Sequence, residues 1–405
     1  MHKLSIGDAA ELAGDVGPDP RLIGVLALTR GRVDLEGLRR QVAASAPELA
    51  VLNRRIVHRG RSALSARWQP IPVDLTRDVV AVSISGSPIR YAEEMLVTGL
   101  GDEGPMWRIV LLDDGRDTHL LFGAHHTLLD GATAVELVGR LFSTSTRGPA
   151  AVRRHSPRTG LPLGLLAGVA LGSSRTSLLT PISSGVHLAT VSTDLGAAQA
   201  AARAAGATIN DLLIAAAAGA LRAVAASRGE RLRHVAISVP VTGQPSAAGP
   251  AGRNDVGAFV AMVPEPGPGQ SPRHHLSRVA RRTRWRKWLV RSFPSSTPAF
   301  CAVLVLLGAL GWYRPLFERQ RAITSLVTNV RGPGEPISVG GARVLGLTAL
   351  SPALGNVSVV FAAISYAGQL SVTIRLDRAA WDREELLVTA LARSFSWLTG
   401  ASGGP

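Results

Sequence analysis

A mixed α/β architecture in two halves is what this sequence predicts, on three observations. Apolar segments that alternate with period two are interleaved with segments of helical period. A stretch rich in Ser, Thr, Pro, Gly and Arg, about residues 143–186, divides the chain. With 405 residues, each half is long enough to close a core of its own.

In the first half, Leu22 to Leu28 is an apolar strand, and Asp34 opens a helix with Leu35, Leu38 and Val42 on its apolar face. Met106 to Leu112 and Thr118 to His126 form a hairpin through the Asp113-Asp114-Gly115 turn signal. Asp130-Gly131 then opens a helix to about Phe142, with Val135, Val138 and Phe142 at helical spacing. In the second half a strand begins near His187 and a helix spans Leu195 to Ala205. An alanine-rich helix runs from Asn210 to about Ser227, capped by Thr208 or Asn210. Val235 to Val241 and Ala258 to Val263 are strands; Asn356 to Tyr366 and Gln369 to Leu376 turn through Ala367-Gly368; Leu386 to Leu398 is the closing helix. The expected domains are an N-terminal lobe 1–142, a crossover 143–186, a C-terminal lobe 187–400 and a flexible tail 401–405.

His125-His126-Thr127-Leu128-Leu129-Asp130-Gly131 is where chemistry is expected. It sets an imidazole and a carboxylate a short turn apart, between a strand and a helix. Leu120, Phe122, Ala124 and His126 share one face of the strand, and His119, Leu121, Gly123 and His125 the other. The two histidines point in opposite directions, so one can reach a given substrate, and His126, on the more apolar face, is the better candidate. A neutral imidazole suits removal of a proton from an alcohol near pH 7. Asp130 can hold the turn by bonding to backbone or to an arginine, and Gly131 allows backbone angles or close approach that a Cβ would obstruct. A lone His-His pair is more often structural, as His274-His275, which lacks the following Asp-Gly, illustrates. No metal is expected: adjacent strand residues diverge, and no third ligand stands at a familiar spacing.

Composition narrows the classes. Hydrophobic residues make up 46% and aromatics 4%, with mean hydropathy +0.20. The apolar excess suits a lipid tunnel or a membrane-facing patch, though alanine alone supplies much of it. The single cysteine, Cys301, excludes an internal disulfide and sits in an apolar run, where a thiol is packing. Met1-His2-Lys3 leads into a polar, acid-containing segment, so no signal peptide is expected. The apolar runs 161–171 and 300–310 fall short of the roughly 20 residues that cross a bilayer, so no transmembrane helix is expected either.

The formal net charge of +15 is uneven: residues 266–317 hold no acid but carry Arg273, Arg278, Arg281, Arg282, Arg284, Arg286, Lys287, Arg291 and Arg314. With Trp285 and Trp288 inside this run, it suits anionic lipid headgroups. Leu276, Val279, Ala280 and Thr283 lie nearly opposite Trp285 and Leu289, so the run is not one clean amphipathic helix, and a solvated basic helix is the alternative account of the charge. No nucleic-acid module accompanies the basic residues. No Gly-x-Ser-x-Gly elbow, Walker-type loop or dinucleotide turn is present.

The motif has company. Pro105-Met106-Trp107, Asn210-Asp211 at a helix start, Val239-Pro240-Val241-Thr242, Thr328-Asn329-Val330-Arg331-Gly332-Pro333, and Ile364-Ser365-Tyr366-Ala367-Gly368 with Asp377-Arg378 and Asp382 follow in order, with Leu4-Ser5 and Asp8 at the start. In this order they resemble the bacterial wax ester synthase/diacylglycerol acyltransferase family of the HHxxxDG coenzyme A-dependent acyltransferase superfamily, over essentially the whole chain. Met106 replaces that family's usual leucine, Arg331 its usual proline, and Thr242-Gly243-Gln244 a common Ser-x-Arg.

The resemblance implies two chloramphenicol-acetyltransferase-like lobes with the active-site channel between them. It implies an O-acyltransferase carrying a fatty acyl group from acyl-CoA, as co-substrate, to a long-chain alcohol or diacylglycerol, with no bound cofactor. His126 would be the general base and Asp130 structural, with His125 and Gly131 completing the motif. Pro105, Trp107, Asn210, Asp211 and Asn329 would serve the substrates. The expected location is cytoplasmic, peripheral to the inner membrane or lipid inclusions. Two alternatives stay open: acyl or polyketide transfer from a carrier protein to an alcohol or amine, and a catalytically silent lipid-binding homologue.

Overall fold

The computed structural model describes residues 2–45, 52–58, 63–101, 104–142, 155–156, 176–242, 244–245, 256–292 and 297–400. To the main sheets the first half supplies strands β1 (Leu22–Arg30), β2 (Val79–Ser83), β3 (Trp107–Asp113) and β4 (Thr118–His125); His2–Lys3, Arg54–Val57 and Arg67–Pro70 form a small separate sheet. The helices of this half with eight residues or more are α1 (Ile6–Ala13), α2 (Leu35–Ser45), α3 (Pro88–Thr98) and α4 (Gly131–Phe142). The second half supplies β5 (Val186–Asp194), β6 (His234–Thr242), β7 (Val256–Pro264), β8 (Ser325–Arg331), β9 (Ser338–Val339), β10 (Ala342–Leu350), β11 (Val359–Tyr366) and β12 (Gln369–Asp377). Its helices are α5 (Leu195–Ala204), α6 (Ile209–Ser227), α7 (Pro272–Ser292), α8 (Thr297–Ala309), α9 (Tyr313–Phe317) and α10 (Glu384–Thr399). Most of the expected 143–186 crossover and the 161–171 apolar run lie outside the described residues, as does the 401–405 tail.

Two six-stranded sheets organise the chain as a mixed α/β fold of two sheet-rich lobes. One runs β9-β10-β1-β4-β3-β2 and the other β7-β6-β8-β11-β12-β5. β3 and β4 form the expected hairpin, with Asp113 opposite Thr118. Gly115 in its loop takes φ 89°, a left-handed angle that costs glycine little.

The sheets do not follow the division of the chain at its crossover. β10, from the second half, pairs antiparallel with β1, Leu350 opposite Gly24, and completes the first sheet. The Tyr366 hydroxyl, from β11 of the other sheet, fixes this excursion: it donates to Val344 O at 3.0 Å and accepts from Ile337 N at 2.9 Å. Two buried carboxylates fasten the halves further. Glu93 of α3 accepts from Leu188 N at 2.8 Å and from Arg378 at 2.8 Å, and Asp19 meets Arg375 at 3.0 Å.

The second lobe is built around α6. Thr208 and Asp211 cap it reciprocally, a capping box that fixes its start. Leu212 to Ala218 are all buried, so these two turns of the helix are wrapped by their own lobe on every side. Among the described residues it is the one helix long and apolar enough to cross a membrane, and it is a core helix by burial. α10 lies close against it at Gly219, where a Cβ would come within 2.8 Å of Ser394 Oγ.

The basic residues from Arg273 to Arg291 lie on one continuous helix, α7. It buries Leu276, Val279, Ala280 and Thr283 and exposes Arg281, Arg282, Arg284 and Trp285, the two faces read from the sequence. The next helix, α8, crosses to the first half and buries Cys301 and Val305 against Ala9, Ala10 and Ala13 of α1.

Candidate active site

β4 ends at His125, and the chain turns at once. His126 N donates to Arg21 O at 2.9 Å, and Leu128 N donates back to His125 O at 2.8 Å. The turn sends the two rings apart. His125 Nε2 lies 3.1 Å from Asp15, and its Nδ1 accepts from Thr127 N at 3.2 Å. His126 instead lines a cavity of about 330 Å³ between the two lobes. That is the lower part of the size range of small-molecule sites, roughly 300–1,000 Å³.

The cavity wall is apolar over Ile23, Val135, Phe259, Val330 and Leu350, and polar at few points. His126 and Asp130 come from the first half; Asn210, Thr328 and Asn329 come from the second. Asn329 Nδ2 donates to Asn210 Oδ1 at 2.6 Å, tying the start of α6 to β8. Asp130 Oδ1 accepts from Thr133 N at 2.7 Å and so caps α4, the helix that carries Val135 into the wall.

Behind His126, away from the cavity lining, stands an ion pair. Glu11 Oε2 of α1 is 3.7 Å from His126 Nδ1, and the same oxygen is bonded to the Arg21 guanidinium. Burial works against ionisation of Glu11, but Arg21, with the two histidines, holds its carboxyl at about 2. Arg21 has φ 51°, a left-handed turn pinned by Asp19 Oδ1 accepting its N–H at 3.0 Å.

His126, Asp130, Gly131, Asn210 and Asn329 are therefore brought together, and four other expected site residues are not. His125 is turned away to Asp15. Trp107 is buried in the first lobe, its indole donating to Leu52 O at 3.1 Å, and Pro105 is buried just before β3 without lining the cavity. Asp211 is committed as a cap to Thr208 N and Oγ1, at 2.8 and 2.7 Å, and to Thr283 Oγ1 at 2.5 Å. Gly131 does line the cavity, but a Cβ there would meet only Val330 Cγ2, at an ordinary 3.8 Å, so it relieves no close contact. Glu11 and Arg21 were not anticipated. A glutamate in an alanine-rich helix announces nothing until the fold sets it against β4. Among the described residues no group of three His, Cys, Asp or Glu could hold a metal ion.

The model of the wax ester synthase/diacylglycerol acyltransferase C-terminal domain matches residues 253–399. A Mycobacterium tuberculosis protein named as a probable diacylglycerol O-acyltransferase is 26% identical over 93% of this chain and 91% of its own length. A Mycobacterium bovis protein of similar name gives the same figures, 26%, 93% and 91%. The wax ester synthase/diacylglycerol acyltransferase from Marinobacter aquaeolei shares the fold, with TM-score 0.71 and 19% identity, over 99% of this chain and 100% of that one. The first condensation domain of the calcium-dependent antibiotic synthetase shares it too, at TM-score 0.66 and 17% identity, over 98% and 95%. So does the starter condensation domain of rhizomide synthetase, solved as a mutant in complex with C8-CoA, at TM-score 0.62 and 15% identity, over 100% and 96%. The chain thus matches the wax ester synthase/diacylglycerol acyltransferase C-terminal domain over residues 253–399 and is similar to the named diacylglycerol O-acyltransferases over nearly its whole length.

Proposed function

We propose that the protein is an O-acyltransferase that moves a fatty acyl group from acyl-CoA to a lipid alcohol, a long-chain alcohol or a diacylglycerol. The observation that carries this reading is His126 in the wall of a mainly apolar cavity to which both lobes contribute. The names of the curated relatives support the same chemistry. His126 takes the hydroxyl proton on Nε2 as the alcohol oxygen attacks the thioester carbonyl. The C–S bond then breaks, the ester forms, and the proton passes from the imidazolium to the CoA thiolate. A base of this kind contributes roughly 10²–10⁴ in rate. The Asn329 bond fixes the Asn210 amide and leaves its NH₂ group to donate to the carbonyl oxygen as negative charge develops. Asp130 moves no proton; it holds the turn and α4 in register. The apolar wall keeps water from the thioester.

The test is direct. The purified protein is given palmitoyl-CoA with hexadecanol or a diacylglycerol; free thiol is followed, and the ester is identified by thin-layer chromatography. Thiol release matched by ester supports the reading. Turnover only with an acyl-carrier protein, or a co-purified lipid with no turnover, would replace it by one of the two alternatives.

Contact with an anionic bilayer belongs to the same reading. α8, α9 and the turn between them leave Val303, Leu306, Leu310, Trp312 and Leu316 exposed, each by more than half. Such a cluster exceeds the scattered apolar residues of an ordinary surface. These helices follow the acid-free α7, whose exposed arginines match anionic headgroups. Sedimentation with phosphatidylglycerol vesicles, and its loss in Leu306→Asp/Leu310→Asp, is the expected result; equal sedimentation of that variant would remove this surface from the account.

A further inference from the structure

The catalytic arrangement proposed above leaves one ionised group unused. Glu11 sits on the side of His126 that does not line the cavity, and the ring is thus held between a carboxylate and the space where substrate would lie. We infer that Glu11 is a positioning residue for His126, fixing its tautomer through Nδ1 and leaving Nε2 free to take the hydroxyl proton. The inference rests on the reading of His126 as the base.

Three contacts converge on this role. Glu11 Oε2 faces Nδ1 at 3.7 Å, a charge-pair separation somewhat longer than a hydrogen bond. Contacts of this kind are often long without substrate and tighten in the complex. Arg21 holds the carboxylate with its side chain and the His126 N–H with its own carbonyl, at 2.9 Å, so one residue anchors both partners. Glu11 itself is carried by α1, whose Ser5–Asp8 capping box and packing on α8 fix its place. A negative charge facing Nδ1 favours the proton there and the imidazolium once Nε2 has also been protonated.

The other charged groups around the ring leave the carboxylate this task. Asp15 of α1 is taken by His125 of β4. Asp19 is taken by Arg375 and Ala353 N. Asp130, at the start of α4, is spent as a helix cap. Tyr313 of α9 is held neutral, burial pushing its phenol up to about 12. Glu11 and Arg21 are the charges that face the ring's far side, and they act in opposite senses.

That opposition gives the test. Glu11→Gln, Arg21→Gln and His126→Ala are assayed for CoA release, with the pH profile of kcat/KM. For Glu11→Gln we expect kcat to fall by about 10- to 100-fold, KM for acyl-CoA to change little, and the acid limb to move to lower pH, since a base that has lost its carboxylate protonates less readily. Glu11→Asp should recover part of kcat. Arg21→Gln removes the opposing charge and should move the limb to higher pH, a divergence that a purely structural role would not give. A Glu11→Gln enzyme with kcat within twofold of normal and an unmoved limb, beside an inactive His126→Ala, would overturn this inference and leave the proposed function standing. An active His126→Ala would overturn both.

Discussion

Asn329 donates to Asn210 across 2.6 Å, and this single amide pair joins the start of α6 to β8 in the cavity wall opposite the histidine's own lobe. If Asn210 supplies the donor for the developing oxyanion, Asn329 is what aims it. Asn329→Ala is expected to lower kcat by about 10- to 100-fold, somewhat less than outright loss of an oxyanion donor, with little change in melting temperature. Steady-state CoA release with a parallel thermal melt checks it. Normal turnover would remove the pair from the chemistry.

Asp130 is expected to separate stability from proton transfer. Asp130→Ala loses the cap on α4, worth about 1 kcal/mol, and slows CoA release by disturbing the His126 turn. Asp130→Asn keeps an acceptor oxygen and should lie between wild type and Asp130→Ala in both measurements. An Asn variant as inactive as His126→Ala would mean that the carboxylate takes part in the chemistry.

The packing of α10 on α6 makes a separable prediction. A methyl at Gly219 would sit 2.8 Å from Ser394 Oγ but 3.5 Å from Ser394 Cβ. Gly219→Ala should therefore give back, through the contact with Ser394 Oγ, much of the roughly 1 kcal/mol that alanine gains over glycine inside a helix, and in the Ser394→Ala background the same change should show that gain in urea unfolding. Strict additivity of the two changes would contradict the contact.

His275 gives a pH dependence unrelated to catalysis. It is buried, 5.7 Å ring to ring from Trp397, and burial, with Arg222 and Arg278, lowers its pKa to about 4. The folded state therefore resists the proton that the unfolded chain takes up below about 6.5. Stability present above that pH is lost as pH falls towards 4, by about 3 kcal/mol at most. Melting temperatures between pH 7 and 4 should fall more steeply in wild type than in His275→Phe.

How much of this could be read from the residues follows from where each signal resides. The β3–β4 hairpin and α4 announce themselves because strand-period runs and Asp-Gly signals stand close together, and α6 because Thr208 caps an alanine-rich run. The divergence of His125 and His126 needed only the strand period. β10 was not legible: its pairing with β1 shifts register between Val344 and Gly346, which interrupts the alternation, and its partner strand is some 300 residues earlier. The sequence groups Asp211 with the substrate residues, while in the structure its carboxylate caps α6 and bonds Thr283, a use that a cap and a ligand, alike in sequence, do not distinguish. Glu11 and Arg21 acquire meaning only when α1 folds back beside the end of β4, a contact no local pattern encodes.

The central claim is that the His126 ring takes the proton that lets an alcohol attack a thioester. It is tested most directly by CoA release from palmitoyl-CoA in the presence of hexadecanol, measured for wild type and His126→Ala after circular dichroism and melting have shown the two equally folded. The account predicts alcohol-dependent thiol release in wild type and a loss of at least about 100-fold in the variant. Equal rates in the two proteins would contradict it.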